Sequence, residues 1–226
     1  LLDPAQRPVI VIDAGHGGMD GGASSADGVS EKDINLAIAR CLEAEAAQYP
    51  VEVVMTRTDD RGLYTDDARP IRAKKREDLQ RRKELMEGET VTLGISIHLN
   101  SFPQDVSVYG AQVFYPKEAR TGTDVLQVCA QSKEYAESIQ KRLETNISDG
   151  RERSAMGKSD ILLFAQVQHP MVLVECGFLS NPDECARLET PAYQQLLACA
   201  IWEGVNEILC LEKNKSVTVI DSANRG

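Results

Sequence analysis

Two histidines and two glutamates carry the most suggestive chemistry in this sequence. His16 ends the stretch Val9, Ile10, Val11, Ile12, Asp13, Ala14, Gly15. His98 ends Leu93, Gly94, Ile95, Ser96, Ile97, and Glu175 ends Met171, Val172, Leu173, Val174. Runs that are apolar at nearly every position suit parallel strands covered on both faces. Open α/β sheets place their sites beyond the carboxyl ends of such strands. A single strand-end histidine reads equally well as structural or functional, but two of the same design are hard to assign to core packing. Glu31 opens a stretch of helical spacing, and on spacing alone it reads first as an ordinary first-turn acid favoured by the helix dipole. Imidazole and carboxylate together are zinc ligands, and a catalytic zinc keeps three protein ligands and one open position. His16, Glu31 and His98 fit that number, which leaves Glu175 as a base for the attacking water. The third histidine, His169 beside Pro170, ranks well behind as a substrate contact or spare ligand. Neither a Gly-x-Ser-x-Gly elbow nor a P-loop is present, so serine-nucleophile and phosphoryl-transfer readings lack support.

The elements that must hold these groups follow from pattern. Gly15, Gly17 and Gly18 let the chain turn sharply after the first strand. Ser30 and Asp33 have capping-box spacing and predict a helix to about residue 48, with Ile34, Ile38, Cys41 and Leu42 on one face. Residues 51–55 read as a strand, after which Arg57 is expected to pair locally with Asp59 or Asp60. Residues 62–70 read as a polar loop. Residues 69–87 form a basic helix with a thin apolar face of Leu79, Leu85 and Met86, read as solvated. The alternative is that Arg72, Lys75 or Arg76 meets an anionic substrate. Residues 93–98, 109–115 and 171–175 read as strands, 161–164 as a short strand, and 149–160 as a loop. Residues 176–182 read as the turn after Glu175. Helices are expected at 129–145 and, from Thr190 and Pro191, to about residue 209. A tail follows, with 217–220 as a possible edge strand. The whole reads as one α/β domain over 1–226, with its core at about 8–210 and a tail at 211–226. The expected architecture is a twisted, mostly parallel sheet flanked by helices on both faces.

Composition bounds the function. A net charge of −10 over 226 residues argues against a general nucleic-acid or anionic-membrane binder. No apolar run reaches the roughly 18 residues of a membrane span. The chain opens Leu1, Leu2, Asp3 without methionine, so an export signal or anchor is expected to have preceded it. Cys41, Cys129, Cys176, Cys185, Cys199 and Cys210 form no CxxC pair and read as buried reduced thiols rather than disulfides or zinc ligands.

Four blocks together resemble the zinc-dependent N-acetylmuramoyl-L-alanine amidases of the Amidase_3 type. They are Val11 to His16 with Gly17 and Gly18; Ser30, Glu31, Lys32, Asp33, Ile34 and Asn35; Ser96, Ile97, His98, Leu99, Asn100 and Ser101; and Val174, Glu175, Cys176, Gly177, Phe178, Leu179, Ser180 and Asn181. The resemblance implies His16, Glu31 and His98 as zinc ligands and Glu175 as catalytic acid/base, with peptidoglycan as substrate. Asn35, Asn100, Arg72 and Arg76 are the candidate substrate contacts. Residues 71–79 and 110–115 are similar to the germination-specific amidases of spore formers. That similarity implies spore-cortex peptidoglycan, action in sequence with a muramic acid deacetylase, a possible protein activator, and location outside the cell in the wall or the forespore intermembrane space. The rival readings are a zinc exopeptidase of related fold and a catalytically silent peptidoglycan-binding module.

Overall fold

The computed structural model describes residues 7–117, 123–147, 150 and 152–214. Strands β1 (Val9–Ala14), β2 (Glu52–Met55), β3 (Val91–Asn100), β4 (Gln112–Pro116), β5 (Met156–Lys158) and β6 (Met171–Phe178) form one sheet in the order β2-β1-β3-β6-β4-β5. β2, β1, β3 and β6 run parallel, and β4 pairs antiparallel with β6. The helices are α1 (Glu31–Ala46), α2 (Ile71–Met86), α3 (Thr123–Ile147), α4 (Pro182–Leu188) and α5 (Pro191–Leu209).

Alternation along each strand sorts side chains to two faces. Ile10, Ile12, Ile95, Ile97, Val172 and Val174 pack with Ile38 and Leu42 of α1, Ile139 of α3 and Ile201 of α5. On the other face, Val11, Met171 and Leu173 meet Met86 of α2 and Leu163, Phe164 and Val167 of a connecting segment. Helices therefore cover both faces of a mostly parallel sheet, as expected. Each fully buried Ile or Leu contributes about 1.5–3 kcal/mol relative to exposure. Both histidine-ending strands are neighbours in register, with Ala14 opposite Ile97 and His98 opposite Glu175. The three strand-end groups thus emerge along one sheet edge.

Several local expectations change. Ser30 does not cap α1 with its side chain; its hydroxyl donates to the Gly21 carbonyl at 2.9 Å, tying the loop rather than the helix. The 149–160 region, read as loop, contains β5, because β4 offers its free edge to Met156, Gly157 and Lys158. Residues 162–164 form a 3-10 turn rather than a strand. β6 runs on through Cys176 and Gly177 to Phe178 instead of turning after Glu175. Gly177 permits this at φ 155°, where a side chain would meet the Glu184 carboxyl group at 2.8 Å. α4 was not anticipated; Asn181 caps it by accepting from the Glu184 amide, with Pro182 at its first turn. Thr190 and Pro191 start α5 as expected. Residues 217–220 lie outside the described residues. The described cysteines are all free, but only Cys176 and Cys185 are buried, and Cys210 is exposed.

Candidate metal centre

Three donor groups converge where β1, α1 and β3 end or begin. The candidate ligand atoms of His16, Glu31 and His98 lie within 4.8 Å of one another. Glu31 Oε1 sits 3.3 Å from His16 Nε2 and 3.1 Å from His98 Nδ1. The two imidazoles meet edge to face, with centroids 4.9 Å apart. Two glycines make room for this packing. A Cβ on Gly15 would stand 2.3 Å from His98 Nε2, and one on Gly22 would stand 2.5 Å from Glu31 Oε2.

The backbone that presents His16 is held from two sides. His16 itself takes the left-handed conformation at φ 62°, uncommon for a residue with a side chain. Arg57, 1 % exposed, donates Nε to the Ala14 carbonyl at 2.8 Å and Nη2 to the carbonyls of Gly15 and Lys32. Arg82 reaches up from α2 to donate Nη1 to the Ala14 carbonyl and Nη2 to that of His16, at 2.7 and 2.5 Å. Its charge is met by Asp13 at 2.6 Å and Asp78 at 2.6 Å. Asp13, fully buried, also accepts from Thr56 and Ser96 hydroxyls. Burial alone would raise the Asp13 carboxyl; Arg82 and these hydroxyls outweigh it and hold it below its ordinary value. Neither arginine behaves as the sequence suggested. Arg57 makes no ion pair with Asp59 or Asp60, because its donors are taken by carbonyls, and Lys32 pairs with Asp60 instead. Arg82 is buried, not solvated, because its partner Asp13 is inside the sheet.

His16 Nδ1 lies 3.1 Å from Asp20 Oδ2, and Lys75 Nζ of α2 donates to Asp20 Oδ1 at 2.8 Å. This outer contact leaves Nε2 facing Glu31, and such partners fix tautomer and ring orientation at metal sites. Burial would raise the Glu31 carboxyl, but hydrogen bonds from His16 and His98 bring it well below the carboxylate range. His16 moves the other way: burial would lower its imidazole, and Glu31 and Asp20 raise it. Glu175, opposite His98 across the β3–β6 ladder, has its carboxyl pushed up to about 7 by burial, with Glu31 adding to the rise. Its Oε2 is sealed from solvent and accepts no hydrogen bond from the described residues.

The substrate-contact candidates separate. Asn35 is fully buried, and its amide donates to Gly15 O and Glu31 Oε1 at 3.1 and 3.2 Å. It stands on α1 one turn after Glu31 and holds that carboxylate, while its own Oδ1 accepts no hydrogen bond among the described residues. Asn100 sits at the end of β3, partly exposed, accepting from the Ser101 amide. Arg72 and Arg76 are exposed on α2 and line an open hollow of about 740 Å³ with Arg69 and Gln80. His169 precedes β6 and lies at the opposite end of that strand from Glu175, away from the cluster. Sequence reasoning did not find Asp20 or Arg82, and it named Arg57 only as a loop ion pair and Lys75 only as an alternative substrate contact. Asp20 left a signal, an acid four residues beyond His16; the others join the site only through tertiary contacts.

The chain matches the Amidase_3 family model, described as N-acetylmuramoyl-L-alanine amidase, over residues 10–207. It is 34% identical over 202 residues to the germination-specific N-acetylmuramoyl-L-alanine amidase of Bacillus subtilis, covering 89% of this chain and 80% of that protein. Among solved structures it is similar to the CwlD amidase from Clostridioides difficile, determined in complex with the GerS lipoprotein. The TM-score is 0.83 at 38% identity, covering 90% of this chain and 99% of the other. A second N-acetylmuramoyl-L-alanine amidase, from Clostridium difficile 630, matches with TM-score 0.75 at 30% identity over 90% of this chain and 97% of that one. The family match, spanning all four chemistry-bearing residues and the whole sheet, leaves neither an exopeptidase nor a silent module as the reading: the chain belongs to the Amidase_3 family and is an N-acetylmuramoyl-L-alanine amidase acting on peptidoglycan.

Proposed function

We propose that the chain is a zinc amidase that cuts the bond between the lactyl group of N-acetylmuramic acid and L-alanine in spore-cortex peptidoglycan. The observation that carries this reading is the convergence of His16, Glu31 and His98 beside a buried carboxylate, Glu175, with a free oxygen. Two imidazoles and one carboxylate are a donor set that fits zinc in its catalytic, three-ligand form. Bound zinc supplies Lewis-acid polarisation of the carbonyl and lowers the pKa of water. Glu175 takes a proton from the attacking water and delivers it to the departing L-alanine nitrogen. A carboxyl whose affinity for protons is raised toward neutrality suits both halves of that transfer. Asp20 holds His16 by Nδ1, and Asn35 holds Glu31, so neither ligand has to be ordered at the moment of binding. Arg72, Arg76 and Asn100 meet the substrate, the arginines through stem-peptide carboxylates.

The germination-specific B. subtilis relative supports the cortex reading, in which a muramic acid deacetylase acts on the same strands. The C. difficile relative's lipoprotein complex supports a protein activator for this chain. Such an enzyme works outside the cytoplasm, in the wall or the forespore intermembrane space. Mass spectrometry of products from purified cortex peptidoglycan tests the whole reading. Release of intact stem peptides, abolished by chelator and restored by zinc, is expected; release of single amino acids or of nothing overturns it.

A further inference from the structure

On the β4 side of Glu175 stands an arginine with unused hydrogen-bonding capacity. Gln112 of β4 pairs with Glu175 in the antiparallel ladder, so both side chains stand on one face of the sheet. Arg153 donates Nη1 to Gln112 Oε1 at 3.1 Å and Nη2 to the Tyr109 carbonyl at 2.7 Å. Gln112 is fixed in turn by donating to the Ser154 carbonyl at 2.7 Å. The guanidinium lies over the Phe178 ring, 5.3 Å from its centre, three residues beyond Glu175 on β6.

The other two buried arginines of the site are nearly saturated: Arg57 binds four carbonyls, and Arg82 binds two carboxylates and two carbonyls. Arg153 is not. A guanidinium has five N–H donors, and two of these are spent on neutral oxygens. Among the described residues its Nε, sealed from solvent, meets no acceptor, and Nη1 and Nη2 each donate once, to Gln112 and Tyr109. Among the described residues no carboxylate stands within ion-pair distance of its head; Glu144 takes only its backbone amide. A half-buried charge with no counter-ion is costly unless something supplies one.

We infer that Arg153 is a specificity residue that receives a carboxylate of the stem peptide just beyond L-alanine, on the opposite flank of the site from α2. The inference rests on the amidase reading and adds a chemical preference to it. The residue after L-alanine in a stem peptide is a γ-linked glutamate whose α-position is either a free carboxylate or an amide. Arg153 selects the acid, since a carboxylate offers it an opposite charge and two acceptor oxygens, whereas an amide offers one neutral acceptor. Gln112 and Phe178 pre-orient the fork, so little side-chain freedom is lost on binding.

The test compares N-acetylmuramoyl-L-Ala-D-Glu with its α-amide, N-acetylmuramoyl-L-Ala-D-isoGln, as substrates for the wild type, Arg153→Gln and Arg153→Lys. The wild type should favour the acid by about 10- to 100-fold in kcat/KM, carried mainly by KM. The ratio should fall to near one in Arg153→Gln and lie between in Arg153→Lys. Calorimetric titration of the dipeptides L-Ala-D-Glu and L-Ala-D-isoGln should show the same order of affinity without turnover. Equal handling of acid and amide by the wild type overturns the inference even if Arg153→Gln fails to fold. An acid preference that survives in a folded Arg153→Gln overturns it too. Cleavage of neither substrate by the wild type counts instead against the amidase reading, and the dipeptide titration then decides on Arg153 alone.

Discussion

Single side chains at this site divide into those that bind and those that hold the binders still. Glu175→Gln keeps the shape of the carboxylate and removes its ability to take a proton. Zinc content should stay at one per chain while turnover falls about 10²–10⁴-fold; loss of zinc with activity would make Glu175 a ligand and sink the division of roles. Asp20→Asn leaves all three proposed ligands in place and weakens the partner of His16 Nδ1, together with the Lys75 ion pair that holds that partner. Zinc affinity, measured by chelator competition, should fall about 10–100-fold, the usual effect of such a partner. Unchanged affinity would show that His16 is oriented by its backbone alone. The histidines and glutamates were legible in the sequence because strand ends and a helix start give them a pattern. Asp20 was less so, because an acid in a glycine-rich loop has no period to betray it. The position of Asn35 in its motif is visible, but its burial and its bond to Glu31 are properties of packing.

Among elements, α2 departs furthest from its pattern. It reads as a solvated basic rod, and most of it is one: Arg69 and Arg81 pair with Glu77 at the surface. Yet one arginine of that rod, Arg82, is driven into the sheet, where it meets Asp13 and grips the His16 carbonyl. Periodicity could not single it out, since helix and strand each show one charge among many or one acid in an apolar run. Only their meeting explains both. Asp13→Asn should therefore destabilise the fold by about 3–5 kcal/mol in urea unfolding, because it removes the more deeply buried of the two carboxylates that meet the Arg82 cation. The folded carboxyl lies below its unfolded value near 3.9. Its contribution is present above that value and disappears as pH falls through the folded pKa, so wild type and variant should converge in stability only in strong acid. Divergence that persists there would mean that the cost comes from packing or hydrogen bonding rather than from the Asp13 charge, and equal stability at neutral pH would mean that Asp78 and the carbonyls hold Arg82 alone. The exposed part of α2 has its own test. Charge reversal at Arg72 and Arg76 together should lower activity on cross-linked peptidoglycan, with zinc content and Tm near wild type. Unaltered activity across a range of salt would leave these residues as solvated charge. β5 and the 3-10 turn were beyond pattern reading, because three residues are too short for any period to register.

At the scale of the molecule, the proposed ligands come from positions 16, 31 and 98, which only the folded sheet brings within 4.8 Å. Zinc then binds the native state far more tightly than the unfolded chain. At about 100 times its Kd it should add about 2.7 kcal/mol of stability. For a domain of this size that is a rise in Tm of about 5–11 °C. Calorimetric scans with graded zinc check this, and a Tm indifferent to zinc would place the metal elsewhere or nowhere. The α/β architecture and its two covered faces were readable from the uninterrupted apolar runs, whereas the antiparallel β4–β6 pairing was not, because a strand's direction leaves no mark on its composition.

β6 is the last strand among the described residues but lies inside the sheet, between β3 and β4. A chain emerging during synthesis therefore carries His16, Glu31 and His98 long before it carries Glu175. Until β6 inserts, β3 has an open edge and β4 with β5 has no seat in the sheet. Glu175, the proposed proton carrier, arrives on the same strand that closes the core, so under the proposed mechanism maturation of the fold and the onset of cutting are a single event. An amidase built this way would have no competent half-made form.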